Sequence, residues 1–142
     1  MKILVTDDNE HKELIKELEQ QGHEITVTNN LGSDHLRKTF ENQPEICIHL
    51  LQAKDNKESK EKPLSFMEAN VIGTINLLEQ CKKHNTKLIM LGNPEKQKNP
   101  KTPYDASTAS AELYAFSYAN TYEFPIKFIE NLNNIKTVLS TI

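Results

Sequence analysis

The sequence predicts a three-layer α/β fold in which a five-stranded parallel sheet lies between helices. Three observations carry that expectation. Short apolar runs at Ile3–Val5, Ile25–Val27, Ile46–Leu51, Lys87–Leu91 and Ile126–Ile129 read as strands. Segments with apolar residues at helical spacing separate them, so strand and helix alternate along the chain. The third run is apolar nearly throughout, as a strand covered on both faces must be. Right-handed crossovers then put the first strand centrally and give the order 2-1-3-4-5.

The first 28 residues make a strand–helix–strand unit. Leu14, Ile15 and Leu18 line one side of the first helix, and Gly22 supplies a left-handed stop after Gln20-Gln21. In such units the turn after the first strand decides the chemistry. A nucleotide-binding version keeps glycines there, so that backbone can approach a pyrophosphate at the helix N-terminus. Here the turn is Asp7-Asp8-Asn9-Glu10, with no glycine and three carboxylates. These side chains are expected to cap the helix and offset its positive end. A pyrophosphate would meet both bulk and like charge.

The second strand finishes in Asn29-Asn30. A short helix over about 34–42, capped by Ser33 or Asp34, buries Leu36 and Phe40, and Pro44 introduces the third strand. Residues 54–62, KDNKESKEK, read as a solvated, flexible loop that Pro63 ends. Ser65 and Glu68 form a capping-box pattern for the longest helix, over about 65–84. Met67, Val71, Ile75 and Leu78 make one apolar row on it, while Phe66, Ala69, Ile72 and Leu77 widen the arc. One stripe suffices to cover a sheet. The second either meets a partner or sinks the helix deeply into its own core.

The fourth strand leads into Gly92-Asn93-Pro94 and a polar loop over 95–101. Thr102 as N-cap and Pro103 at the first helical position start a helix reaching about Tyr122. Its inner half is small, with Ala106, Ala109 and Ala111. Tyr114, Tyr118 and Tyr122 recur every fourth residue, with Phe116 nearby. Pro125 precedes the fifth strand, and Leu132, Ile135 and Leu139 predict a closing helix in the tail. No repeat or linker divides the chain, so residues 1–142 read as one domain of minimal Rossmann or flavodoxin-like type.

Composition narrows the function classes. Hydrophobic residues make up 37% and charged residues 26% of the 142, enough for one real core. A net charge of −3 and a pI near 6.0 argue against nucleic-acid binding, which needs a basic face. No apolar run approaches the roughly 20 residues of a membrane span. Met1-Lys2-Ile3 runs straight into the first strand, which predicts no leader peptide. Cys47 and Cys81 sit in apolar stretches and read as reduced core residues of a cytoplasmic protein. The five histidines show no metal-ligand spacing, so no metal site is expected. No serine lies in a nucleophile-elbow context.

Three stretches carry a resemblance: MKILVT with KELEQQGHEITV; PEICIHL with PLSFMEANVIGTINLLEQCKKHNTKLIMLG; and TPYDASTASAELYAFSYANTYEFPIKF. Together they resemble the NAD-dependent epimerase/dehydratase family, the extended short-chain dehydrogenases that act on nucleotide sugars. The resemblance implies that this segment is the cofactor-binding half. A strand normally lying between the second and third here is missing, and so is the C-terminal substrate half. The missing strand would be at a sheet edge, which is compatible with folding. ILVTDDNE also resembles, more weakly, the opening of a response-regulator receiver domain. There, paired acids hold Mg²⁺ beside a phosphorylated Asp, but Leu50 and Leu51 stand where that Asp would be.

Carried over residue by residue, the family's site departs from its pattern. The glycine-rich turn has become Asp7, Asp8, Asn9 and Glu10 and is about two residues short. The ribose-binding acid after strand two is Asn29 or Asn30, and the Ser/Thr after strand four falls near Asn93-Pro94. The Tyr-x-x-x-Lys pair survives only as Tyr104 with Thr108. A tyrosine titrating near about pH 10 is a poor base at neutral pH, and Thr108 lacks the positive charge that would lower that value. The reading is therefore a domain that has lost catalysis, holds no cofactor and acts by protein association. The resemblance implies dimerisation through the two long helices, packed as a four-helix bundle. That makes Phe66, Ala69, Ile72, Leu77, Tyr114, Tyr118 and Tyr122 the expected interface of a homodimer or of a heterodimer with an epimerase-like protein. The alternatives are a remodelled NAD, NADP or nucleotide-sugar site using Asn29, Asn93 and Tyr104, and a pseudo-receiver.

Overall fold

In a computed structural model that describes residues 1–94 and 99–142, five parallel strands form one sheet in the order 2-1-3-4-5. The strands are β1 (Lys2–Thr6), β2 (Glu24–Thr28), β3 (Ile46–His49), β4 (Lys87–Leu91) and β5 (Ile126–Ile129). The central position of β1 follows from its pairing with β2 on one side and β3 on the other. Side chains alternate across the sheet, and each face has its own core. Ile3, Val5, Ile46, Ile48 and Ile89 face α1 (Lys12–Gln20) and α6 (Ile135–Thr141), against Leu18, Ile135 and Leu139. Leu4, Cys47, Leu88 and Met90 face α2 (Ser33–Thr39), α4 (63–84) and α5 (Pro103–Tyr122).

The helix boundaries show which local signals decided. Gly22, at φ +91°, closes α1; the His23 and Gly22 amides donate to the Leu18 and Glu19 carbonyls. Thr102 Oγ1 accepts the Asp105 amide at 3.1 Å and Pro103 opens α5, as the sequence predicts. Three expectations need correction. The stretch read as a flexible loop contains a helix, α3 (Asn56–Glu61), because the Asp55 carboxylate accepts the Glu58 amide and Ser59 is buried. The capping box at Ser65 and Glu68 does not form: helical backbone already begins at Pro63, with no side-chain cap. The α2 helix likewise starts after Gly32 without a cap from Ser33 or Asp34.

The long helix α4 is also not uniform. It is α-helical over Pro63–Phe66, opens to a π-helical turn over Met67–Ile72 and is α-helical again over Gly73–His84. Such turns cost local regularity and concentrate where a side chain must be aimed. Here the aimed side chain is Asn70. The third strand is shorter than predicted, because Leu50 and Leu51 leave the sheet to line the cleft at its end. The polar loop read over 95–101 falls partly outside the described residues. Among those described, no helix is long and apolar enough to cross a membrane. Cys47 and Cys81 are free thiols in the same core cluster. Burial, with Cys81 behind it, pushes the Cys47 thiol well above its usual value.

Candidate functional site

The C-terminal ends of the strands frame a cleft, as open α/β sheets do at a change of strand order. Its floor is a buried hydrogen-bonded chain. Thr6 Oγ1 accepts the Leu50 and Leu51 amides at 3.0 and 3.1 Å, so its proton is directed to His49 Nδ1, 2.7 Å away. His49 is therefore the Nε2–H tautomer, and Nε2 lies 3.0 Å from Thr74 Oγ1. Burial lowers the His49 pKa to about 4, so the ring is neutral at physiological pH. Both ring nitrogens are committed, which makes His49 a strut of the cleft.

The turn after β1 gathers its charge inward. Asp7 is buried, and its Oδ2 accepts the His11 amide at 3.0 Å while Oδ1 lies 2.7 Å from His11 Nδ1. Burial works against ionisation of Asp7, but the His11 side chain and amide outweigh it and lower the pKa. The helix mouth thus holds a carboxylate of its own. This corrects one detail of the expected cap: the N-cap position is His11, and the acid reaches it from four residues back. Asn9 takes a left-handed φ of +59° to make the turn. Asp8 Oδ1 accepts Asn29 Nδ2 at 3.4 Å, and Glu10 pairs with Lys54 at 2.6 Å. Asp7, Asp8 and Asn29 are therefore brought together.

Asn93 lines the other side of the cleft, whereas Tyr104, at the start of α5, lines neither of its cavities. Asn93 Nδ2 donates to Glu130 Oε1 at 2.8 Å. The Tyr104 hydroxyl reaches Gln52 Oε1 at 3.4 Å, and its ring meets Phe66 edge-on at 6.3 Å. Burial raises the Tyr104 pKa; Lys54 pulls against that and Asp105 adds to it. Thr108 Oγ1 turns back to the Asp105 carbonyl at 3.1 Å. Between the two sides stands Asn70, buried in the π-helical turn. Its Oδ1 accepts the Ala53 amide at 2.8 Å, and Nδ2 donates to the Ala53 carbonyl at 3.1 Å and Ser107 Oγ at 2.9 Å. Sequence reasoning missed Asn70, Gln52, Lys54 and the His49 chain. The only signal for Asn70 was an amide on an apolar helix.

Two cavities share the wall made by Leu51, Gln52 and Asn70. One of about 390 Å³ lies toward Asn93 and Thr108, and one of about 740 Å³ toward Asn29 and Asn76. Glu112 is buried in the first and packs over Gly92; a Cβ there would sit 1.8 Å from its Oε1. Gly92 also has φ +143°, so only glycine suits the position. Among the described residues, no group of three His, Cys, Asp or Glu could hold a metal ion.

The expected interface residues divide. Phe66 and Leu77 are core residues, 3% and 0% exposed, because the α4 arc that carries them turns inward on this sheet. Ala69, Ile72, Tyr114 and Tyr122 are exposed. Tyr118 is half-buried against Tyr122, their rings 5.0 Å apart, and Lys82 Nζ lies 4.2 Å from the Tyr122 ring centre. Leu64, Met67, Leu113 and Phe116 are further exposed apolar side chains.

Comparisons with known proteins agree with this architecture. A probable UDP-glucuronate 4-epimerase of Rhizobium meliloti (strain 1021) is 32% identical over 98 residues, covering 58% of this chain and 29% of that protein. A dTDP-D-glucose 4,6-dehydratase of Dictyostelium discoideum is 29% identical over 133 residues, covering 75% of this chain and 30% of its own length. The chain thus spans about a third of the curated relatives it matches. The crystal structure of a Thermus thermophilus UDP-glucose 4-epimerase in complex with NAD superposes with a TM-score of 0.80 at 22% identity. It covers 90% of this chain and 54% of that one, and shows the shared fold. A sequence profile of the NAD dependent epimerase/dehydratase family matches residues 4–135. The chain belongs to the NAD dependent epimerase/dehydratase family.

Proposed function

We propose that this chain is a non-catalytic member of its family that acts by protein association, as a homodimer or as the partner of an epimerase-like subunit. The observation that carries the reading is the Asp7 carboxylate seated at the mouth of α1 on the His11 amide and ring. A dinucleotide's pyrophosphate needs that position bare. Here it would face Asp7, Asp8 and Glu10, and at about 4 Å like charges repel by roughly 4 kcal/mol at the effective dielectric of a protein surface. These residues do not fit NAD or NADP. Tyr104 has no cation four residues on, and its raised pKa leaves still less of it as the phenolate that could act as a base at neutral pH.

The association surface is the outer side of α4 and α5. Met67 and Val71 face Ala106 and Ser110 across an apolar cleft of about 200 Å³, and Leu64 and Tyr114 on the same two helices are exposed. The small residues on α5 let another helix approach closely, and the exposed large ones give it something to bury. Free, buried Cys47 and Cys81 fit a reducing compartment, the cytoplasm. Light scattering on the full chain, with calorimetry against NAD, tests the reading. A dimer without NAD binding is expected. A strict monomer that binds NAD in the micromolar range overturns it and revives the remodelled nucleotide site at Asn29, Asn93 and Tyr104, of which Asn93 and Asn29, but not Tyr104, line the two strand-end cavities. A pseudo-receiver role is disfavoured, since Asp7 is committed to His11.

A further inference from the structure

The two edges of the sheet are built differently. On one side β5 has Pro125 just before it and an exposed Lys127 in mid-strand, devices that keep an edge from pairing with another chain. On the other side β2 reads Glu-Ile-Thr-Val-Thr, with no lysine and no proline, and its register against β1 is unbroken by a bulge. The Glu24 amide donates to the Met1 carbonyl at 2.9 Å, and the Thr28 carbonyl accepts the Asp7 amide at 3.0 Å. Glu24, Thr26 and Thr28 therefore turn their amides and carbonyls toward β1. Ile25 and Val27 alternate with them and turn theirs outward. Among the described residues, no backbone group meets those outward atoms. Asn42 Nδ2 reaches the Thr26 side chain, 3.4 Å from Oγ1, and Val27 is 45% exposed.

We propose that this edge takes a second copy of the chain, the two β2 strands pairing antiparallel about a two-fold axis at Thr26. Ile25 of each copy then faces Val27 of the other, and all the outward amides and carbonyls exchange hydrogen bonds. Centring the axis on Ile25 would set Val27 against His23, whose amide already donates to Leu18, and centring it on Val27 would set Ile25 against Asn29, beyond the strand. In the Thr26 register Glu24 falls opposite Thr28, so no like charges meet, and β-branched pairs cover Val27. That self-complementarity selects a second copy over an unrelated strand. The contact is short and weak, with a dissociation constant of roughly 0.1–1 mM. It goes beyond the helix-pair association, lies on a different surface and can fail without it.

Cross-linking of full-length single-cysteine variants tests the register, since Cys47 and Cys81 are buried. At about 0.2 mM chain with oxidised glutathione, Thr26→Cys is expected to form a disulfide dimer about tenfold or more faster than Glu24→Cys, because residue 26 alone meets its own copy across the axis. Random collision would favour residue 24, the more exposed of the two. Adding Val27→Lys, which places a cation on the edge, should slow the Thr26→Cys reaction about tenfold or more. Hydrogen exchange on the parent should show the Ile25 and Val27 amides slowing as concentration rises toward 1 mM, with the Thr26 amide unchanged. Glu24→Cys linking as fast as Thr26→Cys, a rate indifferent to Val27→Lys, or Ile25 and Val27 amides indifferent to concentration each overturns the proposal. Repeating the cross-linking with Met67→Arg/Tyr114→Arg separates the two surfaces: the edge reaction persists there whether or not the helix pair associates.

Discussion

The turn after β1 and the outer side of α4–α5 stand in opposite relations to solvent. In the turn, an acid that could face outward is folded in: Asp7 is 3% exposed and satisfies its own helix. On the helix pair, apolar side chains that could be folded in are left out: Leu64 is 63% and Tyr114 47% exposed. A ligand site normally does the reverse, leaving polar donors open and apolar walls hidden. The contrast teaches that the helix mouth completes itself from within, while the helix pair leaves large apolar side chains uncovered.

The largest effect expected from breaking this contrast is on the helix side. The double variant Met67→Arg/Tyr114→Arg puts two cations on the open face, and both parent residues are exposed, so folding should survive. Interface anchors are worth about 2 kcal/mol or more each, so dimer affinity falls by roughly a thousandfold. Light scattering reads it, with circular dichroism as the control for the fold. A variant that remains as dimeric as the parent would remove these helices from the interface.

The floor of the cleft gives the next largest effect. His49 is neutral in the fold with a pKa of about 4, against 6.5 when unfolded. Below 6.5 the unfolded chain takes up a proton that the folded chain refuses. Stability is therefore complete above about pH 6.5 and falls as pH drops toward 4, by about 3 kcal/mol at most. Urea titrations across that range should show the slope, and a His49→Leu variant should flatten it. The helix-side face contains no such group and should show no matching pH dependence in association.

Asp7→Asn tests the turn itself. The Asp7 pKa is lowered from 3.8 in the fold, so its contribution is present above that value and is lost as pH falls through the lower folded one. At pH 7 the variant should be less stable by about 1–2 kcal/mol, the worth of a charged hydrogen bond, and the deficit should vanish in acid. Urea midpoints at pH 7 and in steps through the acid range below pH 3.8 read both arms.

How much of this was legible in the sequence depends on the range of the signal. Strand order came from local apolar runs and chain handedness, which need no tertiary detail. The α5 start was legible because Thr102 and Pro103 act on their own turn. The α3 helix was not, since Asn56–Glu61 has no apolar stripe and folds through one cap and the buried Ser59. Phe66 and Leu77 could not be told from Ile72 by spacing, because the π-helical turn resets which residues face the sheet. At the site, the acids at 7, 8 and 10 were visible in the turn. That Asp7 reaches His11, and that Asn70 braces Ala53, are contacts made by a turn geometry that no residue pattern encodes.

The smallest effect, and the sharpest on catalysis, is Thr108→Lys. This restores a cation four residues after Tyr104 on the same face of α5. Burial and Asp105 now hold the Tyr104 hydroxyl above its usual value, with Lys54 in partial opposition. An added ammonium should lower it by about one unit, readable as the ultraviolet difference between the variant and its Tyr104→Phe counterpart. On the proposed non-catalytic reading, turnover of UDP-glucose with NAD is absent in parent and variant alike, because the Asp7 carboxylate at the mouth of α1 is untouched. Turnover in the variant would overturn the proposal that the acids at the helix mouth exclude a dinucleotide.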